Sequence, residues 1–328
     1  MNYDEAFSAF TTLFEHKMSD AEMREFLLSL SLNETTPVAV IAAAATVMRS
    51  HAIALPVADE LRPELLDVVG TGGDKIGSFN ISSTVALLCA SMGSYVAKHG
   101  SRSITSKSGS ADMFESLGVR LDLNIHQSAK LLEESGFTFM FAQNHHPAMK
   151  FIMPVRKSIP DKTIFNILGP LTNPAGVQKI MLGVFDKAFV PKLAEALKIN
   201  KVKSAMVVSS RERMDEISIS DISYAARVTS DIVEEYTIDP TAYGIQQRPL
   251  ASIVGGDATE NAQILHDIFN NSATEAQRDI VLINAANAFI VDGKARDIQD
   301  GLEIANEALI SGKAKAKLDN IIKVSQKL

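Results

Sequence analysis

Residues 65–82, LLDVVGTGGDKIGSFNIS, set an apolar run against four glycines, Gly70, Gly72, Gly73 and Gly77, and then a polar Asn-Ile-Ser. Leu65 to Val69 reads as a buried strand and the residues from about Ser82 as a helix, so the stretch is a strand, a glycine-rich turn and a helix start. Glycine lets a backbone turn through positive φ and approach a ligand closely, and the N–H groups gathered at such a turn form a concavity for anions. A phosphate-binding loop is the first reading; a glycine-rich connection without a ligand is the other. Two familiar phosphate loops are excluded. The dinucleotide pattern Gly-x-Gly-x-x-Gly meets Lys75 where its third glycine belongs, and the Gly-Lys-Ser/Thr of a P-loop is replaced by Gly77-Ser78-Phe79.

Outward from this stretch, short apolar or β-branched runs at Tyr95 to Ala97, Phe137 to Ala142, Ile180 to Phe185 and Ser204 to Ser209 alternate with helical patterns. The helices start at about Ala111, His126, Pro147 and Phe189. That alternation predicts an α/β fold with a central sheet flanked by helices on both faces. Residues 217–238 read as short strands with polar breaks, and the tail from Glu260 as long helices, the last rich in lysine. The first sixty or so residues are wholly helical in pattern. Ser19-x-x-Glu22 has the form of a capping box, and Thr36-Pro37 offers an N-cap and an N1 proline ahead of the Ala-rich run to Met48. The expected organisation is a small all-helical domain over residues 1–62 and a larger α/β domain over 63–328.

With 328 residues and 46% hydrophobic content, the chain can bury a sizeable core. Its single cysteine, Cys89, lies in an apolar helix-like run, which excludes a disulfide framework and suits a reducing cytoplasm. The start, MNYDEAFSAF, lacks a basic region followed by an apolar core, and no uncharged apolar run reaches membrane-spanning length; neither a leader nor a membrane anchor is expected. A net charge of -7 argues against a broad nucleic-acid-binding face and confines anion binding to a pocket.

Two further loops carry chemistry. Residues 98–110, KHGSRSITSKSGS, follow a strand and place cations among small hydroxyls, with Lys98 suited to act as a point charge on phosphate and Thr105 and Ser106 as neutral donors. Met214-Asp215-Glu216 follows the strand ending at Ser209. Each has a plainer reading: an adjacent acid pair as a solvated turn, His99 as a structural hydrogen-bonder, Asn80 and Ser82 as helix caps. His145-His146 lacks the i, i+4 spacing of a zinc helix. The combination of glycine loop, cations and acid pair favours a site, because a hard cation such as Mg²⁺ joins carboxylates to phosphate oxygens.

Taken in order, GTGGD at 70–74, NIS at 80–82, KHG-R at 98–102, SKSGSAD at 106–112 with ESLGV behind it, MPVR at 153–156, TIFNILGPLTNP at 163–174 and MDE at 214–216 closely resemble the anthranilate phosphoribosyltransferase family. The resemblance runs through most of the chain. It implies the nucleoside phosphorylase type of fold, with a mainly parallel sheet and the helical domain joined by a segment near 160–180. It implies transfer of the phosphoribosyl group of 5-phosphoribosyl-1-pyrophosphate to anthranilate, a step of tryptophan biosynthesis, with Mg²⁺, in a cytoplasmic homodimer that pairs through its helical domain. Residues implied for the phosphoribosyl donor are Gly70, Thr71, Gly72, Gly73, Asp74, Ser78, Asn80, Ser82, Ser83, Lys98, Thr105, Ser106 and Ser110. Those implied for anthranilate are Gly70, His99, Gly100, Ser101 and Arg156, the last through its guanidinium fork. Ser82, Asp215 and Glu216 match the metal positions. No residue is assigned as acid or base: the demand is to stabilise a departing pyrophosphate, and an aromatic amine is already unprotonated near neutral pH.

The chain departs from the family pattern at Ser101, where asparagine is usual, at Ser83, where threonine is common, and at Pro160-Asp161-Lys162, where a Leu-Gly-x-Arg texture is expected. Acceptor selectivity is the property these differences touch. Two rival readings share the fold. A pyrimidine nucleoside phosphorylase would need no metal pair, and a nucleic-acid-binding relative without activity would carry a basic groove and eroded phosphoribosyl motifs.

Overall fold

The computed structural model describes residues 1–103 and 107–328. Three helices lead: α1 (Tyr3–Phe14), α2 (Asp20–Ser29) and α3 (Val38–Ser50). Strands and helices then alternate: β1 (Leu65–Gly70), α4 (Ile81–Ser91), β2 (Tyr95–Gly100), α5 (Ser110–Ser116), α6 (Ile125–Ser135) and β3 (Phe137–Phe141). The short helices α7 (Ala142–His145), α8 (Met149–Lys157) and α9 (Phe165–Leu168) precede β4 (Lys179–Gly183), α10 (Val190–Ile199) and β5 (Ser204–Ser210). After the hairpin β6 (Ser223–Thr229) and β7 (Ile232–Ile238) come α11 (Ala258–Phe269), α12 (Glu275–Asp292), α13 (Ile298–Ile310) and α14 (Lys313–Ser325).

The strands form one seven-stranded sheet in the order β3-β2-β1-β4-β5-β6-β7. β1 to β5 are parallel, and β6 and β7 add antiparallel to one edge. The mainly parallel sheet expected from the alternation is therefore present. Residues 217–238 hold the short strands with a polar break expected there: two seven-residue strands in register, joined at Ser230 and Asp231, with Ser230 in the left-handed region at φ 51°. β7 is the outer edge strand, and most of its residues are exposed or partly so.

Parallel strands must be covered on both faces, which is why they read as unbroken apolar runs. Leu66, Val68, Val96, Met181 and Met206 point into a core closed by α4 and α11 to α14. Leu65, Val69, Ala97, Ile180 and Val207 point the other way, into a core that continues through α10 into α1 to α3, α8 and α9. The leading helices are tied to the 145–174 segment by main-chain bonds, Leu32 N to Lys162 O and Leu55 N to Pro174 O, and by the bridge of Ser31 with Thr163. The capping box at Ser19 and Glu22 is formed. Thr36 does not cap α3: Pro37 itself occupies the N-cap position, and the Thr36 hydroxyl accepts the N–H of Asn33 instead, closing the preceding turn.

Chain direction across the sheet reverses beside β1, since β2 and β3 lie to one side and β4 and β5 to the other. Such a switch point opens a crevice at the carboxyl ends of the strands. Behind it, the opposite ends are locked by Lys179, whose Nζ donates to Glu64 Oε2 at 2.7 Å and to Asp292 Oδ1 at 3.0 Å; Asp292 Oδ2 accepts from Ser94 Oγ at 2.6 Å. Lys179 and Asp292 are both buried, whereas Glu64 is half exposed. Removing one partner of a buried pair strands the other charge, so Lys179→Met should lose about 3–5 kcal/mol of unfolding free energy. Glu64→Gln should lose about 1 kcal/mol or less. Urea unfolding of the two variants checks this, and equal losses would contradict it.

Candidate active site

The glycine stretch leaves the end of β1 at the switch point. Thr71 N donates to Gly183 O at 2.9 Å, which joins the ends of β1 and β4. Gly72, Gly73 and Gly77 then take positive φ, as does Lys75, so the loop is wound tightly, and its residues 71–78 are exposed or partly so. Met214-Asp215-Glu216 closes over the base of this loop. A Cβ on Gly70 would lie 2.2 Å from Asp215 Oδ2, and one on Gly183 would lie 1.6 Å from the Asp215 carbonyl oxygen. Only glycine lets the acid pair come this close. Asp215 Oδ2 in turn accepts the Gly72 N–H at 2.7 Å, and Asp74 Oδ1 accepts that of Ile76.

The neighbouring carboxylate holds the start of α4. Glu216 Oε1 accepts the Ser82 N–H at 3.0 Å, one of the donors that a helix leaves without an internal partner. Lys98, 2% exposed, projects from β2 to the same place: its Nζ donates to Val68 O at 2.7 Å and lies 3.4 Å from Ser82 Oγ. Burial pushes the Asp215 carboxyl up to about 7, with the charge of Asp74 adding to it. Burial and the charge of Asp215 push Glu216 well above the usual carboxylate range, and Lys98 opposes this in part. The Lys98 ammonium is lowered by burial and supported by Asp67, Glu216 and Asp215. Acids held together out of water resist ionising together, and a hard divalent cation relieves that repulsion. Among the described residues no cluster of three or more His, Cys, Asp or Glu side chains forms a closed metal cage. Two carboxylates and a hydroxyl that need water or phosphate oxygens to complete the shell fit Mg²⁺.

Beyond Lys98 the end of β2 forms a second wall. His99 N donates to Asp67 Oδ1 at 3.2 Å, and Asn173 Nδ2 donates to Asp67 Oδ2 at 2.7 Å. The His99 ring sits with Nδ1 3.1 Å from Gly169 O, which makes Nδ1 the protonated nitrogen. Its Nε2 and that of His146 are buried without a hydrogen-bond partner among the described residues, and the two rings lie 5.3 Å apart. Burial, and then the neighbouring His146, lower the His99 pKa to about 3; burial and His145 lower that of His146 to about 4. Both rings are neutral at pH 7. Gly100 has no room for a side chain, since a Cβ would meet Ser110 Oγ at 2.3 Å and the Phe139 ring at 2.8 Å. Ser110 Oγ and the Ala111 N–H both point to Ser101 O, at 3.4 and 3.3 Å. Arg102 anchors the loop to α5 through Asp112 and Glu115.

Gly70 to Asp74 therefore meet Asp215, and Ser82 and Lys98 meet Glu216. His99, Gly100, Ser101 and Ser110 line one wall. Ser78 pairs with Val254, and Ser83 is buried in the first turn of α4. Asn80 does not cap α4; its carboxamide bonds to Asn261 and Ser108. Arg156, at the end of α8, makes no hydrogen bond or ion pair to these residues among those described; its guanidinium lies 5.7 Å from the Phe165 ring centre. Thr105 and Ser106 lie outside the described residues. Sequence reasoning gave no role in the site to Asp67, His146, Asn173, Gly183 or Asn261, whose partners lie far along the chain. It noted Lys162 only as a departure, yet its Nζ sits 3.2 Å from the Phe185 ring centre and close to Gly73.

Residues 62–315 match the family described as "Glycosyl transferase family, a/b domain". An anthranilate phosphoribosyltransferase of Xanthobacter autotrophicus is 41% identical, covering 99% of this chain and 93% of its own, and one of Methanobrevibacter smithii is 41% identical over 98% and 94%. The crystal structure of anthranilate phosphoribosyltransferase from Thermus thermophilus superposes with a TM-score of 0.92 at 35% identity, over 99% of this chain and 96% of that one. The enzyme from Saccharomyces cerevisiae in complex with PRPP and Mg superposes with a TM-score of 0.86 at 25% identity, over 99% and 93%. The acid pair seated on two glycine strand ends, the buried lysine beside it and these full-length likenesses together place the chain in the anthranilate phosphoribosyltransferase family.

Proposed function

We propose that the protein transfers the phosphoribosyl group of 5-phosphoribosyl-1-pyrophosphate to anthranilate, releasing pyrophosphate and N-(5-phosphoribosyl)anthranilate in tryptophan biosynthesis. The observation that carries this is the seating of Asp215 and Glu216 over the glycine loop, with buried Lys98 between them and the sheet. A nucleoside phosphorylase has no use for that acid pair, and an acidic chain offers no broad surface to nucleic acid.

The donor's pyrophosphate is assigned to the loop of 70–74, with Ser78, Asn80, Ser83, Lys98, Thr105, Ser106 and Ser110 around it. Ser82, Asp215 and Glu216 are the residues assigned to Mg²⁺, which when bound supplies countercharge to phosphate oxygens. Gly70, His99, Gly100, Ser101 and Arg156 are assigned to anthranilate. Neutral imidazoles at His99 and His146 leave the amine of the acceptor unprotonated and add no charge that would repel the cation-like ribose. Among the described residues Arg156 has no carboxylate partner, which leaves its fork for the anthranilate carboxylate. Catalysis then consists of holding amine and ribose in line and receiving the charge of the leaving group, with no enzyme-bound covalent intermediate.

Residues 1–62, with the segment near 160–180, are assigned as a domain that closes on the α/β domain of 63–328 over bound substrates. Among the described residues no helix is long and apolar enough to cross a membrane. We assign the protein to the cytoplasm, where its one cysteine, buried in α4, stays reduced. The leading helices carry exposed Phe7, and the neighbouring α8 carries exposed Phe151, which supports their face as the contact of a homodimer.

In a fluorescence assay of anthranilate consumption, wild-type protein should need both the donor and Mg²⁺, with EDTA abolishing turnover. Asp215→Asn/Glu216→Gln should lower kcat by about 100-fold or more. Persistence of turnover in that variant would remove the acid pair from the mechanism. Arg156→Ala should raise the KM for anthranilate by about 10- to 100-fold, the worth of a charge-assisted hydrogen bond, and leave the KM for the donor nearly unchanged. Light scattering at working concentration should give twice the chain mass; a monomer would sink the dimer assignment.

A further inference from the structure

Asn80 stands between the glycine loop and α4, and its carboxamide faces two donors, Asn261 Nδ2 at 2.9 Å and Ser108 Oγ at 3.4 Å. The oxygen and nitrogen ends of a carboxamide are nearly equal in shape, so which end faces a neighbour is settled by the hydrogen bonds behind it. Here the series starts from an atom that cannot turn round. The backbone N–H of Gly256 donates to Asn261 Oδ1 at 2.8 Å. Asn261 must then present its Nδ2 on the other side, and Asn80 must receive it with Oδ1. That leaves the two N–H groups of Asn80 as its free end; among the described residues no acceptor takes them.

Asn261 is held firmly enough to impose this. It is 3% exposed in α11, and a Cβ on Gly255 would come 2.5 Å from its Oδ1. The segment around Gly255 is bonded along the glycine stretch: Gly255 N donates to Gly77 O at 2.9 Å, Phe79 N to Ile253 O at 3.2 Å, and Ser78 bridges to Val254. Asn261 thus sits at the fixed end of a strip that runs beside the loop from Gly77 to Asn80.

We propose that Asn261 is a positioning residue for the phosphoribosyl donor: it passes the direction of the Gly256 N–H to Asn80, so that Asn80 offers N–H donors to the anionic donor substrate. This rests on the assignment of the loop to phosphate binding made above. An amide oxygen turned toward phosphate repels it, whereas an amide N–H donates to it, so the orientation decides the sign of the contact. No contact between Asn261 and the substrate is required.

The test is a double-mutant cycle read by calorimetric binding of 5-phosphoribosyl-1-pyrophosphate with Mg²⁺ and by steady-state kinetics. In Asn261→Asp the side chain still accepts from Gly256 but now also needs a donor from Asn80, which turns the Asn80 oxygen toward the substrate. Donor affinity should fall by about tenfold, the KM for anthranilate should stay within about twofold, and Asn261→Ala, which only releases Asn80, should lose less. In an Asn80→Ala background, Asn261→Asp should cost little more, because the relay has no receiver. Thermal unfolding of each unliganded variant checks that the fold is intact. An equal loss in both backgrounds would assign the effect to the added charge and overturn the proposal, as would unchanged donor affinity in Asn261→Asp. Wild-type protein that binds the donor but consumes no anthranilate would sink the acceptor assignment and leave this inference standing.

Discussion

The close approach of Asp215 to the ends of β1 and β4 is the contact on which the site depends. Its carboxylate and carbonyl occupy the space that side chains on Gly70 and Gly183 would need. Because the acid pair lies there, the Gly72 N–H has an acceptor, and the next residues wind through positive φ in an exposed loop. The sheet contributes by bringing β1 and β4 side by side at the switch point, although more than a hundred residues separate them along the chain.

That seating has an electrostatic consequence. Glu216 is buried and Asp215 partly so, and with Asp74 beside them both hold protons more tightly than an ordinary carboxylate. Lys98 is buried among them and is stabilised by the same acids that it stabilises. Buried groups of this kind cost stability unless each finds a partner. Among the described residues Lys98 is the buried ammonium that opposes these carboxylates. At the other end of the strands, Lys179, Glu64, Asp292 and Ser94 form a network whose partners are already present.

The walls of the site are held from outside it. Asp67 and Asn173 fix the backbone at His99, Gly169 fixes its ring, and Asn261 fixes Asn80. None of these supports is charged toward the substrate space, and each acts through a hydrogen bond whose geometry is set by main chain. Arg156 is different. It comes from the helical side of the molecule, on α8, and among the described residues has the Met153 sulfur and the Phe165 ring against it. Its guanidinium is thus held by a sulfur and a ring and, among the described residues, by no carboxylate.

The sequence by itself determined what depends on neighbours within a few residues. Apolar runs marked β1 to β5, because parallel strands are buried on both faces; Ser19 and Glu22 marked a helix start, because a capping box closes over three residues; and the glycines at 70–77 marked a tight loop, because only they take positive φ freely. The motifs carried the family and with it the reaction. Local reasoning failed where two local solutions compete, as at Thr36, whose hydroxyl serves Asn33 and leaves Pro37 to open the helix. At β6 and β7 it gave the short strands and the polar break between them, and only the fold showed that the two pair in register at one edge of the sheet. Only the tertiary structure decided that Gly183 must be glycine, that Asp67 needs Asn173 and that Asn261 orients Asn80. These residues are of common types with no local signature, and their meaning lies in partners far along the chain that only the folded sheet brings within hydrogen-bonding distance.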